Sequence, residues 1–97
     1  MKYAHLRCYT VNKGQMDPWL SMFEEIRPVM EAAGITVEST WINEERTQFI
    51  WIRSYGATAE SIAEYEARFY GSDWWQANVE RVRGFIAHRD VQVITTT

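Results

Sequence analysis

A single cysteine, Cys8, in a chain of 97 residues excludes an internal disulfide. Only two prolines and five glycines punctuate it, with no low-complexity linker and no repeat at solenoid spacing, so residues 1–97 are expected to form one domain. The two histidines, His5 and His88, share no metal-ligand spacing with each other or with Cys8, so no metal site is expected. No apolar run approaches the roughly 20 residues needed to span a bilayer. The opening "MKYAHLRCYTV" alternates polar and apolar residues and lacks the continuous apolar centre of a signal peptide. A cytoplasmic protein without a membrane partner is the expectation. A net charge of −3 lacks the electrostatic footprint of a nucleic-acid binder. No G-x-S-x-G, P-loop or dinucleotide-binding glycine pattern occurs, so neither a serine nucleophile nor a bound cofactor is implied.

Apolar material, by contrast, is plentiful: 46 % of residues are hydrophobic and 14 % aromatic, including five tryptophans. Residues 2 to 11 alternate as a strand should. After the turn "NKGQ", a helix is expected with Asp17 as N-cap, Pro18 at the first helical position and Gly34 as terminator. Its apolar residues Trp19, Phe23, Ile26, Met30 and Ala33 recur at helical spacing, and Pro28 is expected to kink it or loosen one turn. "ITVESTWI" and "TQFIWIRSY", joined by "NEER", suit a hairpin. Thr58 caps a second helix to about Tyr70, with Ile62, Tyr65 and Phe69 as its buried stripe. Gly71 breaks it, and Ser72 caps a further helix ending near Gly84. A last strand follows in "RDVQVITTT". The order β-α-β-β-α-β, with its second helix in two pieces, is the ferredoxin-like α+β pattern on an antiparallel four-stranded sheet. Trp75 heads the stripe Val79, Val82, Ile86 and reads as core, whereas Trp74 lies on a mostly polar face.

Helices cover only one face of such a sheet. The small aliphatic set Ala4, Leu6, Cys8, Ile50 and Ile52 suits the covered face. Tyr3, Tyr9, Val11, Phe49, Trp51 and Tyr55 would then lie on the open one, too large an apolar surface to leave in water. A second copy of the chain closing face to face over it predicts a homodimer.

Residues "YAHLRCYTVNKGQMDPWLSMFEE", with Arg and Tyr two apart and a Lys-Gly turn, resemble the opening of NIPSNAP-family domains. "FIWIRSY" followed by "FYGSDWW" resembles the family's later strand and its helix-to-helix joint. The resemblance spans nearly the whole chain and implies a dimeric α+β barrel with the first and third strands adjacent. His5 stands where the family commonly has an acidic residue, and Trp74 where it has a polar one.

That adjacency would put His5, Arg7 and Tyr9 beside Trp51, Arg53 and Tyr55 on the face lining the barrel, with Phe49 on the same face. Two arginines there need counter-charges, because an unpaired buried guanidinium costs several kcal/mol. Glu38 could supply one if the second strand turns it inward, and a bound carboxylate or enolate the other. In an enzyme, His5 would move a proton while Tyr9 and Tyr55 donate to a developing oxyanion. Arg7, Arg53, Trp51, Glu38 and Phe49 would hold a small, partly aromatic, anionic metabolite. In a binding or regulatory dimer without chemistry, the arginines form structural ion pairs, Trp51 is packing and His5 a rim residue. Haem binding is the weakest reading, since His88 falls near the last strand and not on a helix.

Overall fold

The computed structural model describes residues 1–97. Its elements run β1 (Tyr3–Val11), α1 (Met16–Ala32), β2 (Thr36–Ile42), β3 (Gln48–Gly56), α2 (Glu60–Tyr70), α3 (Asp73–Arg83) and β4 (Ile86–Thr95). The strands form one antiparallel sheet in the order β2-β3-β1-β4, the ferredoxin-like arrangement with its second helix split. In register, His5 faces Arg53, Arg7 faces Trp51 and Tyr9 faces Phe49 across the central β1–β3 pair.

Local chemistry accounts for most element ends. Helix α1 starts at Met16 after Gln15 and has no side-chain cap, so Asp17 is not the cap and Pro18 is not the first helical residue: both sit within the first turn. There the Asp17 charge still complements the helix dipole. The helix runs unbroken across Pro28. It ends in Gly34, whose φ of +97° and the Ile35 N–H to Met30 carbonyl bond of 3.0 Å form a Schellman-type turn. Helix α2 starts after Ala59, one residue later than a Thr58 cap requires. Ser72 is the cap of α3: its hydroxyl accepts from the Trp75 N–H at 3.2 Å and donates to the Phe69 carbonyl at 2.7 Å, tying the two helix pieces together. Ser72→Ala is expected to cost about 1 kcal/mol. That would lower the melting temperature by roughly 4–8 °C for a domain of this size, as read by circular dichroism; an unchanged midpoint would mean that packing alone holds the joint.

The sheet faces are the reverse of the expected ones. Tyr9, Val11, Phe49, Trp51 and Tyr55 are buried under the helices, together with His5, Arg7 and Arg53. Leu6, Cys8, Ile50 and Ile52 lie half-buried on the open face. The reason is size matching. Helix α1 brings Trp19, Phe23, Ile26 and Met30 down onto the sheet, and filling a gap of about 10 Å between layers takes large side chains from both sides. Trp19 meets Phe49 with ring centroids 5.6 Å apart, and Phe23 meets Phe49 at 4.8 Å and Trp51 at 5.0 Å. Cys8 therefore lies opposite the helices, not beneath them. Trp41, 63 % exposed and paired with Ile50, extends the open apolar face.

Trp75 packs on Phe69 and Tyr70 at centroid distances of 4.9 and 5.3 Å, part of the wall beneath α3. Trp74, expected on a polar face, is half-buried against the same core.

Candidate functional site

Alternation along β1 and β3 delivers His5, Arg7, Tyr9, Trp51, Arg53 and Tyr55 to one patch between sheet and helices. Two guanidiniums are buried there: Arg7 is 4 % exposed and Arg53 2 %. Both donate to the same carboxylate oxygen, Oε2 of Glu66 on α2, Arg53 at 2.6 Å and Arg7 at 3.2 Å. Arg53 also donates from Nε to the Tyr55 hydroxyl (2.6 Å) and from Nη2 to the Tyr70 hydroxyl (3.0 Å). Its guanidinium carbon lies 5.5 Å from the centre of Trp51, and that of Arg7 5.9 Å, so the indole lies close to both cations. Arg7 donates to the Tyr9 hydroxyl at 2.8 Å.

His5 closes the network. Its Nδ1 lies 2.7 Å from the Tyr55 hydroxyl and 3.2 Å from Arg7 Nη2. A guanidinium can only donate, so Nδ1 is an acceptor, and the imidazole is neutral with its proton on Nε2. Burial, reinforced by the Arg7 charge and only partly offset by Glu66, lowers the His5 pKa to about 4. Burial likewise pushes the Tyr55 phenol up to about 12 against the pull of Arg53, so at neutral pH it stays protonated. The hydrogen-bond order is then Arg53 to Tyr55 to His5.

One carboxylate against two guanidiniums leaves an excess positive charge. Donors also outnumber acceptors: Arg7 Nε, Trp19 Nε1 and Trp51 Nε1 are buried without a partner. Trp19, Trp51, Arg53 and Tyr70 line a narrow internal cavity of about 30 Å³, walled further by Phe23, Met30 and Phe69. That is roughly the space of one water molecule.

Seven of the eight residues singled out from sequence (His5, Arg7, Tyr9, Phe49, Trp51, Arg53 and Tyr55) lie on this helix-covered face, and not on the open face where a partner's sheet would close over them. Phe49 sits deep in the aromatic core at 2 % exposure, surrounded by Trp19, Phe23 and Trp51. Glu38 is apart. Its neighbour Val37 pairs with Arg53 on the covered face, so alternation turns Glu38 to the open one, where its carboxylate accepts from Ser54 (2.6 Å) and Lys2 (3.0 Å). These hydrogen bonds hold its carboxyl below the usual range. The arginines' counter-charge is Glu66 instead. Glu66 and Tyr70 escaped the sequence reading, although both stand at helical spacing from Ile62 on the apolar stripe of α2. A glutamate on such a stripe is the available signal for a buried cation opposite.

No group of three or more His, Cys, Asp or Glu side chains is gathered into a metal-binding arrangement. No helix is long and apolar enough to cross a membrane.

No protein-family model matches the sequence, and no curated protein matches it significantly. Solved structures do. A NIPSNAP family protein from Agrobacterium tumefaciens is similar at a TM-score of 0.87 and 14 % identity, over 99 % of this chain and 88 % of that one. A cofactor-independent oxygenase from Streptomyces nogalater, in a variant form, is similar at 0.74 and 10 % identity, over 98 % and 92 %. A NIPSNAP domain protein from Burkholderia xenovorans is similar at 0.84 and 14 % identity, over 98 % and 94 %. The resemblance carried by the β1 and β3 motifs thus holds at the level of the fold: this chain has the ferredoxin-like α+β fold of NIPSNAP-domain proteins from end to end.

Proposed function

We propose that the protein binds a small, partly aromatic anion between its sheet and helices and acts on it by acid/base chemistry without a bound cofactor, as a homodimer. The observation that carries this is the excess of buried positive charge, Arg7 and Arg53 sharing one oxygen of Glu66 beside three orphaned donors. A buried charge imbalance of this kind is costly unless an anion answers it. The ligand's carboxylate or enolate supplies the missing charge, and the Trp51 ring contacts its apolar part. In chemistry, Tyr55 takes a proton from the ligand as it passes its own to Nδ1 of neutral His5, and Arg7 and Arg53 hold the oxyanion that develops. The cofactor-independent oxygenase of Streptomyces nogalater is a precedent for catalysis without a cofactor on this fold.

Dimerisation rests on the open sheet face. Leu6, Cys8, Ile50, Ile52 and the exposed Trp41 form its apolar centre, and a second copy placed sheet to sheet covers it. The ligand site then belongs to each protomer and lies outside the interface. Ile52→Lys is expected to turn the dimer into a monomer in sedimentation at micromolar concentration while leaving the circular dichroism spectrum intact; a wild-type monomer would overturn the dimer outright.

The ligand reading is tested by adding benzoate and, separately, benzamide. Benzoate should shift the ring resonances of His5 and Tyr55 to saturation, and the neutral amide should not. Equal shifts would remove the charge argument. An inner site that answers neither compound would leave the arginine pair as a structural element of a non-catalytic dimer, the reading that the tight 30 Å³ cavity favours.

A further inference from the structure

A second cavity opens where the C-terminal half of α3 passes the start of β4. It holds about 280 Å³, just under the roughly 300–1,000 Å³ of ordinary small-molecule sites. Tyr9, Trp75, Val82 and Ile86 give it an apolar wall, and Arg83 and Arg89 stand at its rim. Those two arginines are unlike the rest. Every other arginine has a carboxylate within salt-bridge distance: Arg7 and Arg53 on Glu66, Arg27 on Glu31, Arg46 on Asp17, Arg68 on Glu64 and Arg81 on Glu25. Acidic residues outnumber basic ones by 13 to 10, so unpaired arginines are not forced by composition. His88, which also lines the cleft, lies 3.2 Å from Asp90. Tyr9 adds a donor: its hydroxyl accepts from Arg7 and has no acceptor for its own proton.

We propose that this α3–β4 cleft is a binding site in its own right for a flat aromatic monoanion, a one- or two-ring carboxylate or sulfonate. Its ring lies along Trp75, Tyr9 and Val82, and its charge between Arg83 and Arg89. Guanidinium forks suit a planar carboxylate, and the apolar wall excludes ligands that are merely charged. Size sets the upper limit at about two fused rings. Tyr9, Trp75, Val82 and Arg89 also line the inner cavity, so the cleft is its mouth. The cleft nevertheless stands whether or not the inner site takes a ligand.

The test uses 2-naphthoate and its neutral counterpart 2-naphthylmethanol, titrated separately into the full chain labelled with nitrogen-15. Naphthoate is expected to shift the Trp75 indole N–H and the amides of residues 82–89, and to bind about tenfold more tightly than the alcohol. R83Q or R89Q should each weaken naphthoate by about threefold, and the double variant by about tenfold, in line with rim-exposed charge pairs. The alcohol's affinity should not change. Both side chains are solvent-exposed, so the variants keep the fold. Equal affinity for acid and alcohol, or an unchanged naphthoate affinity in the double variant, overturns the outer site. Naphthoate shifts confined to His5 and Tyr55 overturn it too, while supporting the inner one.

Discussion

Glu66→Gln is expected to destabilise the fold by about 3 kcal/mol, the lower end for breaking a buried ion pair because the Glu66 side chain retains 22 % of its exposure. Glutamine has the same shape and an oxygen to accept with, so packing is preserved. What disappears is the one negative charge that Arg7 and Arg53 share, leaving two buried guanidiniums next to each other beside the Trp51 ring. Removing one of them should relieve the strain. Arg7→Met in the Glu66→Gln background is therefore expected to be more stable than Glu66→Gln alone, the opposite of what two independent losses would give. Urea denaturation of the two single variants and the double variant gives the coupling directly. A loss below about 1 kcal/mol would mean the arginines are not dependent on Glu66, and the case for an anion-seeking interior would fall with it.

The sequence revealed this fold more fully than this site, and the reason is physical. Period-two alternation in "YAHLRCYTV" and "FIWIRSY" sorts residues into two faces without saying which face the helices cover. Both faces are apolar at their centres, one aromatic and one aliphatic, so hydrophobicity cannot choose. Volume does: Trp19 and Phe23 on α1 leave a gap that Phe49 and Trp51 fill and Ile50 and Ile52 would not. Grouping His5 with Arg7, Arg53 and Tyr55 survived the inversion, because residues of equal parity on paired strands stay together whichever way the sheet is turned. Glu38 did not survive, since its neighbour Val37 pairs with Arg53 and takes the covered face, which the sequence of β2 alone does not fix. Glu66 could be found only by asking which polar residue stands on an apolar helix stripe. Strand parity is local, whereas the partner of a buried charge is set by packing between elements distant in sequence.

Stability should fall on mild acidification in a window that His5 sets. Its pKa is 6.5 unfolded and about 4 in the fold, so the native state prefers the neutral imidazole. The corresponding stability is fully present above about pH 6.5 and is lost progressively as the pH falls through about 4. A depression of that size is worth on the order of 3 kcal/mol. The structural cause is specific: protonating Nδ1 ejects the hydrogen bonds from Tyr55 and Arg7 and adds a third cation beside two guanidiniums. Carboxylates contribute mainly lower, where Glu38 loses its bonds to Ser54 and Lys2, so the stretch between about pH 6.5 and 5 isolates the histidine. His5→Asn separates the causes, because an amide oxygen can accept from Tyr55 in place of Nδ1 but cannot titrate. Urea midpoints measured across that stretch should slope downward in the parent and stay level in His5→Asn. Parallel slopes would show that His5 is protonated as easily in the fold as out of it. A neutral acceptor chain from Arg53 through Tyr55 would then be untenable, and Tyr55 would lose its route for passing a proton.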